Sequence, residues 1–167
     1  MPGIYRESGQ HGNYDQSVAV WKGGVAVAVA DMVYRDANGY DQPAALYLWT
    51  TDLATTQGLF KDLFRGISMA RRITQQTTDG GRADGNILES GEFTFPCAAL
   101  ATAAQVGALV GPAKAVGNNL ENQVVAIASA VAGAIGILTL DAPVGSTFLT
   151  FKINPGMAVT RGVQNVI

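Results

Sequence analysis

The sequence predicts a mainly β fold, an antiparallel β-sandwich or barrel-like module of the β-tulip or jelly-roll kind. One short helix and an extended N-terminal arm complete it. Three observations predict this. Short apolar runs (FTFPCAAL, VGALVGPAK, QVVAIASAVAG, AIGILTL, STFLTFKI) follow one another from Phe93 to Ile153 with almost no charge between them. Each run has strand length, and glycine-marked breaks recur about every ten residues, as in sandwiches built from short strands. Only one segment carries a helical stripe.

Residues 1–16 read as an arm, and residues 17–167 as one β-rich domain. The arm has glycines at 3, 9 and 12 and no period of 2 or 3.6. Ile4, Tyr5, Arg6 and Tyr14 are its candidate partner-binding anchors, because rings and branched chains gain by burial on a neighbour. Ser17–Lys22 alternates as a strand. Val25–Asp36 reads as a second, with Val25, Val27 and Val29 on one side of the pleat. Asp36–Gly39 is a turn in which Asn38-Gly39 supplies positive-φ residues. Ala44–Thr51 reads as a strand.

Leu59, Phe60, Leu63 and Phe64 then follow helical spacing within Thr55–Gly66. Thr55 or Thr56 would cap the start and Gly66 would end the helix. Its stripe is expected to plug the sheet. Ile67–Ile73 reads as a strand and Thr74–Asn86 as a long exposed loop. Ile87–Pro96 alternates, with Phe93 and Phe95 on one face. Gly107, Gly111-Pro112 and Gly117-Asn118-Asn119 mark turns. Val124–Leu140 reads as two strands and a turn, and Ala142–Gly145 leads into a last strand, Ser146–Ile153. The tail, 154–167, has an apolar residue every few positions and is expected to lie on the body or on a neighbour.

Charged residues make up 14% of the chain, against about 25% in an average soluble protein. Such a surface suits a protein partly covered by copies of itself or by partners. With a net charge of −2 and no basic cluster beyond Arg71-Arg72, a nucleic-acid partner is not expected. The polar N-terminus lacks a hydrophobic signal region. Val124–Leu140 falls short of the roughly 20 apolar residues of a membrane helix, so no membrane partner is expected either.

Residues that could carry chemistry are few and scattered. His11 is the only histidine and lies in the arm, so neither a hydrolytic triad nor an imidazole-rich metal site is expected. Cys97 is the only cysteine, which excludes an intrachain disulfide; it reads as a small buried hydrophobe. GALVGPAK fails the phosphate-loop pattern. Asp79 and Asp84 share a glycine-rich segment, but Arg82 between them opposes a cation. Asp52, Asp62, Glu89 and Glu92 offer carboxylates without a distinctive spacing. No catalytic, cofactor or metal residue is expected, and the chain reads as no enzyme. A β-sandwich module for sugar or peptide remains an alternative, with Trp21, Trp49 and Tyr47 as platform candidates, although core packing suits all three.

Several strings, taken in order, resemble small tailed-bacteriophage head decoration (cement) proteins. They are VADMVYRDANGYDQPA, TTDLATTQGLFKDLFRGIS, DGNILESGEFTFPC, VGALVGPAK, LENQVV, AIGIL and STFLTFKI. The resemblance spans about residues 24–153. It departs at Ala30-Asp31, where a glycine-aspartate pair is expected, and the arm and tail fall outside it. The resemblance implies a β-rich module, usually a homotrimer, on the outer surface of a phage head. Its partner would be the major capsid protein at capsomer junctions, where it holds the shell against packaged DNA. Another virion part, such as a head-fibre base or tail component, is the alternative within that class. The resemblance brings no catalytic residues.

Overall fold

The computed structural model describes residues 4–6, 16–72 and 82–153. The fold is mainly β, as expected. Its strands are β1 (Ile4–Arg6), β2 (Gln16–Trp21), β3 (Met32–Arg35), β4 (Asp41–Pro43), β5 (Phe64–Ser68), β6 (Arg82–Leu88), β7 (Gly91–Pro96), β8 (Leu109–Lys114), β9 (Leu120–Ile127), β10 (Gly136–Leu138) and β11 (Phe148–Ile153). One α-helix, α1 (Leu53–Leu63), joins β4 to β5 by way of a 3-10 turn at Ala44–Leu46.

The strands form two units. β2-β4-β3-β5-β6 closes into a five-stranded barrel, and β1-β7-β11-β10-β8-β9 makes an open six-stranded sheet. Inside the barrel, Ala19, Trp21, Val27, Val33 and Ile87 form a small core. The outward residues of the same wall, Met32, Tyr34, Ile67 and Leu88, join Phe93, Phe95, Leu149 and Phe151 of the sheet in a larger one. Alternation along β3 and β6 thus serves both cores, because neighbouring side chains leave opposite faces of a strand.

Several local expectations change. Val25–Asp36 is a strand only from Met32. The preceding residues form a turn in which Asp31 Oδ2 accepts the Ala28 N–H at 2.8 Å, and only an isolated bridge joins Val27 to Arg72. Val27 is therefore buried while Val29 is exposed. Ala30 has φ +74°, the left-handed region that glycine favours. In the Asp36–Gly39 turn only Gly39 has positive φ; Asp36 Oδ1 orders the loop by accepting the Asn38 and Tyr40 N–H groups. Ala44–Thr51 is a 3-10 turn and coil, not a strand: Tyr47 folds back against Tyr34 and Phe60, and Asn122 Oδ1 takes the Ala45 N–H.

The helix starts earlier than expected. Asp52 caps it by accepting the Thr55 N–H at 2.8 Å, while Thr56 Oγ1 donates back to the Asp52 carbonyl. Gly66 does not end it; the chain enters β5 directly at Phe64, and Gly66 lies within that strand at φ +138° against the Leu88 carbonyl. Half of the expected stripe turns outward. Phe60 and Phe64 are buried, but Leu59 and Leu63 are 45% and 40% exposed. The buried face is instead completed by Thr56, Gln57 and Lys61; Gln57 and Lys61 donate to the Pro112 and Val131 carbonyls, and Thr56 to the Asp52 carbonyl of its own cap.

β5 stops at Ser68, so Ile67–Ile73 is not one strand; Ser68 Oγ bonds the Ala70 backbone and turns the chain. The expected loop Thr74–Asn86 is strand from Arg82 onward, paired with β2, while residues 73–81 lie outside the described residues. Ile87–Pro96 is two strands, because Gly91 at φ +140° follows a bend at Glu89-Ser90. Gly111-Pro112 lies inside β8 rather than at a turn. A side chain at 111 would come within 2.6 Å of the Gly133 carbonyl and 2.9 Å of the Gln57 amide, so the strand needs glycine for close approach. The two strands and turn in Val124–Leu140 are present as the end of β9, a 3-10 turn at Val131–Gly133, and β10.

Candidate interaction surfaces

The barrel closes around one acid. Asp41 has no exposed surface and stands opposite Arg35 across the β3–β4 pair. Its Oδ1 accepts Arg35 Nε at 3.0 Å, and its Oδ2 accepts Arg35 Nη2 at 2.9 Å. Oδ2 also takes the Val20 N–H at 2.7 Å. β2 and β4 are paired only at Trp21–Asp41, so this side chain supplies a bond that a longer ladder would give. Arg65 stands 3.8 Å away, donates to Ser17 Oγ and pairs with Glu89 at 3.1 Å. A buried carboxylate needs such charge-assisted bonds to offset its desolvation.

A second polar seam joins barrel and sheet. Gln123 Nε2 donates to Asp31 Oδ1 at 2.8 Å, and Gln57 Nε2 donates to the Pro112 carbonyl at 2.8 Å. A groove of about 520 Å³ opens here, lined in part by Asp31, Arg71, Arg72 and Glu121. Burial pushes the Asp31 carboxyl above the usual range, partly offset by the bonds from Ala28 and Gln123. Both of its oxygens are engaged, so the groove presents no poised base. Among the described residues no group of three or more His, Cys, Asp or Glu side chains could hold a metal ion.

The carboxylates singled out from sequence do not converge. Asp52 is the helix cap, which holds its pKa below the usual value, and Glu89 pairs with Arg65. Asp62 is exposed on α1, and Glu92 lies in β7 opposite Lys152. Cys97 is buried, its thiol pushed up by desolvation and pointed at the Ser146 carbonyl at 3.6 Å, an inert setting. Trp21 has no exposed surface, which removes it from any sugar platform. Trp49 carries Lys114 Nζ 4.9 Å above its ring, and Tyr47 packs edge-on against Tyr34 and Phe60. Asp79, His11 and Tyr14 lie outside the described residues.

The remaining candidates are surfaces. The backbone of Ile4–Arg6 runs antiparallel along β7 of its own chain, with Ile4 opposite Thr94, Tyr5 opposite Phe93 and Arg6 opposite Glu92. Exposed apolar side chains gather in two places. At the end of the sheet where β11 begins, Val106, Leu140, Val144 and Phe148 are 49–67% exposed, and Val106 lines, together with Ile127 of β9, a groove of about 660 Å³. Backbone bonds from Gly145 to Leu100, Gly107 to Leu138 and Ala128 to Leu109 bring these segments together. Around α1, Leu46, Leu48, Leu59 and Leu63 form the second patch, and Leu46, Leu48 and Leu63 line a depression of about 450 Å³ beside Tyr47. Periodicity alone hid the second patch, because it assigned Leu59 and Leu63 to the core.

Compared with known proteins, the chain matches no family model and no curated protein. Among the described residues no helix is long and apolar enough to cross a membrane.

Proposed function

We propose that this protein is a structural virion component that decorates the outer surface of a phage head. In this reading it binds the major capsid protein at capsomer junctions and braces the shell against the packaged DNA. It works as a homotrimer, without a cofactor, and catalyses no reaction. The ordered strings of the sequence carry the reading, and one observation strengthens them. Their departure from the pattern falls at Ala30, and Ala30 holds the backbone angle that a glycine would adopt there. The position behaves as a glycine site that has drifted.

The surfaces fit the same role. The apolar rim at the Val106–Val144 end of the sheet is suited to burial against another protein. A standard interface buries about 1,600 Å² in total, and several such contacts per trimer add by avidity. The arm residues Ile4, Tyr5, Arg6 and Tyr14 are assigned a supporting part at the capsid surface.

The direct test is addition of purified protein to expanded, undecorated heads. Binding at a saturating, symmetric stoichiometry is expected. Failure to bind heads that lack it, together with absence from the exterior of virions, would overturn the proposal. Removing residues 2–15, which spares β2, is expected to weaken head binding and leave the barrel folded.

A further inference from the structure

We infer that the open half of β9, Val124–Ile127, receives an extended strand from the shell protein that this molecule decorates. The inference rests on the virion reading for the source of that strand; the edge itself belongs to the fold. β9 is the last strand of the open sheet and pairs only with β8. The Ala128 N–H donates to the Leu109 carbonyl at 2.8 Å, and Val110, Gly111 and Pro112 stand opposite Ile127, Ala126 and Val125. Backbone groups along an antiparallel strand point alternately to its two sides. Those of Ala126 and Ala128 therefore face β8, and those of Val125 and Ile127 face away from it. Pro112, which has no N–H, sits where the β8–β9 ladder asks for none. Among the described residues no hydrogen bond reaches the outer side of β9 at Val125 or Ile127. The other half of the edge is engaged: Asn122 Oδ1 accepts the Ala45 N–H, and Gln123 Nε2 donates to Asp31 Oδ1 and the Val29 carbonyl. Val124–Ile127 carries no proline or charge, the usual guards of a free edge.

The edge sets the chemistry of its occupant. A row of free backbone donors and acceptors is completed by another extended backbone. Ile127, 38% exposed, shares the face of Val110 and lines the groove of about 660 Å³ with Leu100, Ala104 and Val106. Alternate side chains of an added strand would enter that groove, which no charged residue lines, so the strand is apolar at every second position. A second copy is poorly suited to supply it. The barrel is closed and has no edge. Among the described residues a copy could bring only its own β9, in a two-fold pair, or the three residues of β1, which already lie on β7. A two-fold pair does not build the trimer of the virion reading.

Hydrogen exchange on the full-length protein, free and bound to expanded heads that lack it, tests this at single amides. In the free protein the Val125 and Ile127 amides are expected to exchange roughly tenfold faster than those of Ala126 and Ala128, and on heads to slow by about tenfold or more. Ile127→Lys places a charge at the groove and is expected to weaken head binding roughly fivefold or more. Val116→Lys, on the fully exposed hairpin tip at the far end of β8, should not. Heads bound with both edge amides still exchanging freely, or bound equally by Ile127→Lys, would overturn the strand and leave the virion reading standing. Protection of both amides already in the free protein would also overturn it, by showing the edge filled from this chain or, where the sample has dimer mass, from a second copy. A protein that binds no head overturns both.

Discussion

The barrel and the open sheet reach the same end by different chemistry. The barrel has a five-residue core and closes through a buried acid, two arginines and a glutamate. The sheet contains no comparable charge cluster among the described residues. It is held by Phe93, Phe95 and Phe151, whose rings meet at 5.6–6.3 Å. A closed barrel of short strands leaves little interior for side chains, so directional bonds fix its seam. An open sheet needs a thick apolar layer on one face, and aromatic pairs supply it. The two units nevertheless share the larger core through β3, β5 and β6.

That contrast can be broken by mutation. Phe151→Ala is expected to cost about 4 kcal/mol of stability, measured by urea melting, because it empties the centre of the aromatic layer. Hydrogen exchange should show β7 and β11 opening before β2 and β4. Loss of protection in all strands together would mean that the shared core makes one cooperative unit. Asp41→Ala is expected to cost about 3 kcal/mol, since it strands Arg35 and the Val20 N–H, with exchange rising first in β2 and β4.

Smaller effects sharpen the picture at the junctions. Asp52→Ala removes the helix cap and should lower stability by about 1 kcal/mol. Ala30→Gly should raise it by roughly 0.5 kcal/mol: relief of the left-handed strain, ~1–2 kcal/mol, outweighs the added chain entropy of glycine. An unchanged or lower midpoint would show that the methyl group's packing dominates. Burial raises the folded pKa of Asp31 above its ordinary value of 3.8, so the folded state holds that proton longer than the unfolded chain. Its contribution to stability therefore falls as pH rises from about 4 through the folded pKa. Asp31→Asn should remove that fall, seen as a flatter difference between denaturation midpoints at about pH 4 and pH 7.

Much of the architecture was legible because strand-length apolar runs and their breaks are local signals. The end of β9, and β10 and β11, follow from strand-length apolar runs and their breaks alone. The failures share a cause in side chains that bond their own or a distant backbone. Asp31, Asn122 and Gln57 redirect Val25–Ala30, Ala44–Thr51 and the helix face, and nothing in a hydrophobic pattern reports a polar partner dozens of residues away. The Arg35–Asp41 pair was readable in principle, since a hairpin around Asp36–Gly39 sets the two opposite each other. The outward turn of Leu59 and Leu63 was not readable. It depends on Gln57 and Lys61 finding carbonyl acceptors on another strand and turn, which frees the leucine face from the core.

The notch where Gln57 meets Gly111 and Gly133 carries a consequence for how such a chain evolves. A methyl group at 111 would collide with the Gly133 carbonyl and the Gln57 amide, and one at 133 would crowd the Gln57 side chain at 3.0 Å. Enlargement at 133 requires the Gln57 side chain to give way, and at 111 it requires the Gly133 backbone to move as well. These three sites, far apart in sequence, are bound to drift as a set, and descendants of this protein should carry them changed together or not at all.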